Sequence, residues 1–252
     1  MKIDHAYYHK FNAYNASGKI SIHKGKAAIS DFNFEHARGK VKYNASLNKI
    51  KTGFAVSFKA TASNINMPDL LESFENFHQK SLTGKNINGI VSLELNASGS
   101  TNQNLILVPG SLIGNFKVNI VDGQLNNFEP LVNMSRFIFK NRGLDSIRFS
   151  TIVGAADIKG EEIELHKMIV LSSAIAMAID GTYSFGDKTD LSIQVPLKNL
   201  KANSPEYFSS VSSFENYKGA NVYLRGRTEN GALKFSYDPL KKMRKSKKKN
   251  NN

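Results

Sequence analysis

From Lys40 to Asn48 the chain alternates without exception, with Val41, Tyr43, Ala45 and Leu47 on one set of positions and Lys40, Lys42, Asn44, Ser46 and Asn48 on the other. Successive side chains of a β-strand point to opposite faces, so this spelling makes a strand with one apolar and one polar face. After a turn within residues 48–52 the pattern resumes with Phe54, Val56, Phe58, Ala60 and Ala62. It recurs in Val91, Leu93, Leu95 and Ala97, in Phe116, Val118 and Ile120, and in Ile163, Leu165, Ile169 and Leu171. Ile175, Met177, Ile179, Tyr183 and Phe185 follow, then Leu191, Ile193, Val195 and Leu197, and last Leu233, Phe235 and Tyr237. Several of these strands reach about 30 Å at ~3.3 Å per residue. The reading is a large antiparallel sheet, apolar on one side and wet on the other.

Turn-forming pairs punctuate the pattern. Asp122-Gly123, Gly186-Asp187 and Asn230-Gly231 read as hairpin turns, because Asn, Asp and Gly tolerate positive φ. Asp180-Gly181 lies inside continuous alternation and reads as a bulge or bend. Three short helices interrupt the strands. Residues 68–77 place Leu70, Leu71, Phe74 and Phe77 on one stripe behind a first-turn Pro68, and residues 130–139 do the same with Leu131, Met134 and Ile138. Ser204-Pro205-Glu206 opens a third, with Tyr207, Val211 and Phe214 as its stripe. All three are expected to lie on the apolar face, and a fourth is expected from Asp238-Pro239-Leu240.

Charge is concentrated at one end. The 252 residues hold 34 Lys and Arg against 21 Asp and Glu, a net +13, and seven of those charges are Lys241, Lys242, Arg244, Lys245, Lys247, Lys248 and Lys249. This tail reads most plainly as a solvated extension. Its sharper reading is attraction to anionic headgroups, worth about 1 kcal/mol per basic residue near a charged surface. The body carries no helix-turn-helix, zinc-finger or RNP pattern, so no nucleic-acid partner is expected. No apolar run approaches the roughly 20 residues of a membrane-spanning helix, and Met1–Tyr7 lacks the apolar stretch of a signal peptide.

Chemistry-bearing motifs are scarce. With no Cys, disulfides, thiolate zinc sites and cysteine nucleophiles are absent. His5 and His9 fall in a strand-like segment, about 13 Å apart, too far to share an ion. Glu161-Glu162 read as a solvated turn, and Gly84–Gly89 as a hairpin approach rather than a phosphate loop. Dinucleotide, Walker, nucleophile-elbow and H-E-x-x-H motifs are missing. Four Asn-x-Ser sequons, at Asn15, Asn44, Asn96 and Asn133, are of the kind an Asn-rich chain produces by chance. No enzyme activity, metal or cofactor is expected.

One order of segments is distinctive. Val121-Asp122-Gly123 leads to the helix at 130–139, then to Phe149 through Gly154 and Ile158 to Gly160, with Ile163 opening a strand that ends Leu171-Ser172-Ser173; Gly181-Thr182-Tyr183 follows. This order, over residues 105–235, resembles the C-terminal region of the AsmA family of bacterial envelope proteins, to which TamB-type proteins are related. The chain departs from it where Glu161-Glu162 stands in place of one residue, and the N-terminal membrane helix typical of the family is missing. The expectation is a C-terminal piece of a longer protein, or a chain started at an internal Met.

The resemblance implies a mainly β fold with a few short helices (α+β), its long amphipathic antiparallel sheet curved into an open apolar groove. It further implies a non-enzymatic protein at the periplasmic face of the inner membrane. There it would carry phospholipid acyl chains toward the outer membrane and support outer-membrane assembly. The groove lining is then Val41, Tyr43, Leu47, Phe54, Val56, Phe58, Val91, Leu93, Leu95, Phe116, Val118, Ile120, Ile163, Leu165, Ile175, Ile179, Leu191, Ile193 and Val195. Residues 1–104 form a sheet segment with one helix that continues an upstream groove, 105–238 the AsmA-like region, and 239–252 the tail. Two alternatives stand beside this: a closed envelope module whose Phe residues simply fill a core, and a fragment of an outer-membrane barrel, whose ~10-residue strands look similar.

Overall fold

Every strand pairs antiparallel with the strand before it in sequence, and this sets the whole architecture. The computed structural model describes residues 1–78, 82–138, 145–172, 174–184, 188–197, 214, 220–230 and 232–239. Within them run β1 (Lys2–Tyr8), β2 (Phe11–His23), β3 (Lys26–His36), β4 (Gly39–Ile50), β5 (Gly53–Asn66), β6 (Ile87–Thr101) and β7 (Ile113–Asn126). Beyond these come β8 (Ser146–Lys159), β9 (Glu162–Ser172), β10 (Ala176–Ser184), β11 (Asp190–Pro196), β12 (Asn221–Glu229) and β13 (Ala232–Tyr237). They form one sheet in sequence order, with β1 and β13 as its two edges. The fold is therefore mainly β and antiparallel, open rather than closed into a barrel.

Directly paired residues share a face. Val41 pairs with Ala62, Ala62 with Leu93, Leu93 with Val118 and Val118 with Gly154, an apolar row crossing five strands. One position along, Lys42, Thr61, Glu94, Lys117, Ala155 and His166 make a row on the polar face.

A strict period of two does not persist along the strands. Apolar positions of β7 are Phe116, Val118 and Ile120, then Gly123 and Leu125; the switch falls at Asp122, whose φ is 51°. Comparable switches occur at Asp31 in β3 (φ 52°), Asn64 in β5 (φ 57°) and Lys167 in β9 (φ 46°), each at a register shift. These are β-bulges, in which one extra residue returns the following side chains to the original face. Asp122-Gly123 is thus a bulge inside β7 rather than the hairpin turn its composition suggests. At Asp180-Gly181 the strand β10 keeps its alternation, and the extra residue lies on its neighbour, at Lys167. That bulge also corrects the reading of β9: Ile163 and Leu165 share the apolar face with Met168 and Val170, while Ile169 and Leu171 turn to the polar face.

The helices are shorter than the stripes that announce them. α1 (Met67–Ser73) starts where the Asn66 side chain accepts a hydrogen bond from the Asp69 N–H at 3.1 Å, with Pro68 in its first turn. It stops before residue 77 because Glu75 and Asn76 take φ of 51° and 53°, and a 3-10 turn follows over Glu75–His78. α2 (Glu129–Ile138) begins one residue earlier than its Pro130 suggests, and Phe139 lies outside the described residues. Leu71, Leu131 and Met134 join Ile65, Ile87, Val91, Leu125, Ile147 and Phe149 in one buried core. The third stripe behaves differently. Tyr207 and Val211 lie outside the described residues, but Phe214 packs on Leu171, Ala176 and Ala178, residues of the polar face. Gly186-Asp187 and the basic tail also lie outside the described residues, as does the expected fourth helix from Leu240 onward; its opening residues Asp238 and Pro239 are described and lie in coil and turn.

Gly123 lies beneath the Phe149 ring, and a Cβ there would fall inside it. Gly110 has nothing within 4 Å of such a Cβ. Gly123→Ala should lower stability by about 1–3 kcal/mol in urea unfolding, whereas Gly110→Ala should change it by less than about 0.5 kcal/mol. Equal effects would contradict the close packing at the β7 bulge.

Candidate functional site

Placement on the sheet follows from register. All nineteen residues read as a lining fall on the apolar side, Ile175 through its place in the same core just before β10. They are not equally covered. Val91, Ile120, Ile175, Leu191, Ile193 and Val195 are buried. Val41, Tyr43, Leu47, Phe54, Val56, Phe58, Leu93, Leu95, Phe116, Val118, Ile163, Leu165 and Ile179 are half-buried.

The helices cause this division. Both α1 and α2 leave the same end of the sheet, after β5 and β7. Leu71 and Met134, 3% and 1% exposed, seal the apolar face there. α2 also packs against β13. On a flat sheet β13 would lie about 29 Å from β7 at ~4.8 Å per strand, yet ten helical residues span only about 15 Å. The C-terminal half therefore curls with its apolar face inward around α2. At the N-terminal side, the Phe74 ring following α1 reaches Phe11 of β2 at 5.6 Å and His36 of β3 at 6.1 Å. Further from the helices, Leu47, Val56, Phe58, Leu95 and Phe116 stand outside the helix-packed core and keep part of their surface in water. Burial pushes the Tyr43 phenol pKa up, as expected of a hydroxyl on an apolar wall. The result is an apolar gutter stoppered at one end.

Strands β2 and β3 contribute residues absent from the lining set. Phe32 and Phe34 pair with Tyr43 and Val41 and so share the apolar face, as do Ile20 and Ile29. Their signal was present in Phe32-Asn33-Phe34-Glu35-His36, which alternates, but Asp31 breaks its phase with Ile29. His36 is buried, stacked 4.4 Å from the Phe11 ring, and its Nδ1 donates to the Asn12 carbonyl at 2.7 Å.

On the polar face a shallow concavity of about 540 Å³ lies between Thr61, Ser92, Glu94, Lys117, Val153 and Lys167. Its side chains are mixed, with no grouped acids or imidazoles. Among the described residues no three His, Cys, Asp or Glu side chains gather as a metal site. His5 stacks on Tyr14 at 4.5 Å, while His9 sits in the β1–β2 turn. Glu162 lies 3.8 Å from Lys188, and Glu161 is in the β8–β9 turn.

A family model for the AsmA family matches residues 1–168. The chain belongs to the AsmA family. None of the curated proteins and none of the solved structures matches it. The match spans β1–β8 and most of β9, so it takes in the N-terminal strands, which lie outside the segment order that carried the resemblance. It stops short of Ser172-Ser173 and Gly181-Thr182-Tyr183, which had contributed to the resemblance. This is an AsmA-type protein, of a family associated with the bacterial envelope. No helix among the described residues is long and apolar enough to cross a membrane.

Asp190 ties β11 to β12 through both carboxylate oxygens, held by Arg225, with Arg227 at 3.5 Å. The Arg225 hydrogen bonds lower its pKa below the usual 3.8, so the stabilisation is present above that value and lost as pH falls through the lowered one. Asp190→Asn should cost up to about 1 kcal/mol at neutral pH. The gap to the parent protein should close in acid; thermal unfolding across a pH series would expose a constant gap if the pairing were unimportant.

Proposed function

We propose that the gutter holds phospholipid acyl chains and serves, without catalysis, in lipid transport between the inner and outer membranes, supporting outer-membrane assembly. The observation that carries this reading is the half-buried middle of the apolar face, around Leu47, Val56, Phe58, Leu95 and Phe116. A closed core would bury such side chains, and full burial gains about 1.5–3 kcal/mol for each. Acyl chains supply that cover with no directional chemistry, which suits a wall of aliphatic and aromatic groups. A leaflet's hydrocarbon is about 15 Å deep, half of a ~30 Å bilayer core, while the fifteen residues of β6 extend for about 50 Å at ~3.3 Å each. Several chain lengths fit along such a wall.

Family membership supports an envelope setting. Placement at the periplasmic face of the inner membrane, attraction of the tail residues 241–249 to anionic lipid, and absence of enzymatic turnover are parts of the same proposal. The helix-stoppered end favours a second reading there, a purely structural core, because Val91, Ile120, Ile193 and Val195 are already covered by the protein itself.

Mass spectrometry of an organic extract of the chain purified in mild detergent should find phospholipid in stoichiometric amount; none would favour the structural reading. Val56→Asp and Phe58→Asp should each reduce bound lipid several-fold, and Lys59→Asp, on the opposite face, should not. Equal losses in all three would contradict the assigned inner face.

A further inference from the structure

The end of the sheet away from the helices carries an apolar feature that the gutter does not use. Every connection from an even-numbered strand to the next lies there, and the longest, between β6 and β7, contains Leu105-Ile106-Leu107-Val108. These side chains are 57%, 62%, 39% and 44% exposed. The loop is ordered by its own hydrogen bonds. The Asn102 side-chain oxygen accepts from the N–H groups of Asn104 and Ile106 at 2.9 and 3.0 Å, and Val108 N–H donates to the Ser100 carbonyl at 2.9 Å. Leu105 is held at φ 61°, a region a leucine rarely adopts. Four consecutive aliphatic side chains are thus presented to water on a built loop.

The neighbouring hairpin tips are basic. Lys24 and Lys26 flank the β2–β3 turn, and Lys49 and Lys51 the β4–β5 turn. All four are exposed, and none is in an ion pair among the described residues. Neither these two turns nor residues 101–113 contain an Asp or Glu. On the other flank of the loop the β8–β9 turn, joined to it by the Gly160 N–H donating to the Leu112 carbonyl at 2.7 Å, carries Glu161 beside Glu162, so the basic side of the tip is the β2–β5 side. The tips are joined to one another: Lys49 N–H donates to the Gly25 carbonyl at 2.8 Å, and Gly53 lies against the backbone of Thr101 and Asn102.

We propose that this end is a membrane-docking tip, in which Leu105–Val108 enters the headgroup–acyl boundary of a bilayer while Lys24, Lys26, Lys49 and Lys51 meet anionic headgroups. Aliphatic side chains at the apex with unpaired cations beside them match the layering of a lipid surface, apolar below and negative above. An apolar protein partner would account for the leucines but not for the four unpaired lysines on the β2–β5 flank of the loop. The docking stands apart from the acyl-chain cargo: a preparation that binds vesicles through this loop yet carries no lipid would retain it and remove only the cargo.

The chain has no Trp, so Ile106→Trp in the full-length chain supplies a single fluorescent reporter. Its emission should shift to the blue with vesicles of phosphatidylglycerol and phosphatidylcholine. A Tyr7→Trp reporter, at the other end of the sheet, should not shift. Replacing the four lysines with Gln should weaken the vesicle binding read by Ile106→Trp, by about fivefold for each. Unshifted Ile106→Trp emission under conditions where the protein sediments with vesicles would overturn the proposal and pass the binding to another segment. A blue shift that grows with protein concentration without vesicles would overturn it in favour of contact between copies.

Discussion

A one-residue slip in a β-strand turns every following side chain to the opposite face. A sheet of thirteen strands, many of them longer than ten residues, keeps a continuous apolar face only if such slips are placed rather than avoided. The bulges at Asp31, Asn64, Asp122 and Lys167 do this. Each strand bends and twists at its extra residue, and the apolar set resumes on its original side. Three of the four positions are Asn or Asp, the non-glycine residues best suited to left-handed backbone.

The covered and open parts of that face have different causes. Near α1 and α2 the protein supplies its own apolar cover, and residues such as Met134 and Ile147 are almost wholly withdrawn from water. Further along, the wall of Phe58, Leu95 and Phe116 has no such cover, and an apolar surface left partly in water is a standing driving force for association. At β9 the bulge works in the opposite sense for two residues. By turning Ile169 and Leu171 outward it gives Phe214 a small apolar seat on the polar face.

Much of this was legible in the amino-acid sequence. The runs at Val41–Leu47, Phe54–Ala62, Val91–Ala97 and Phe116–Ile120 spell out strands, faces and an antiparallel partnership with little ambiguity. Asn66 and Pro68 announce α1. Less visible were the changes of phase, because Asp122-Gly123 has the composition of a hairpin turn and only the strand pairing reveals a bulge. Ile169 and Leu171 looked like a continuation of Ile163 and Leu165 for the same reason: nothing about Lys167 marks it as the extra residue. Phe32 and Phe34 escaped the lining because Asp31 puts them out of step with Ile29. A shift of apolar parity across one Asn or Asp is the local signal that would have located most of these sites. Curvature depends on contacts between α2 and β13, far apart in sequence, and no local pattern encodes it.

The central claim is that the middle of the apolar face receives acyl chains while the protein is folded. Its most direct measurement is site-specific photocrosslinking in cells with a benzophenone side chain at Leu95 or at the adjacent Asn96, which point to opposite faces of β6. The account predicts phospholipid adducts at position 95 and none at 96. Adducts at neither position, or equally at both, would contradict it.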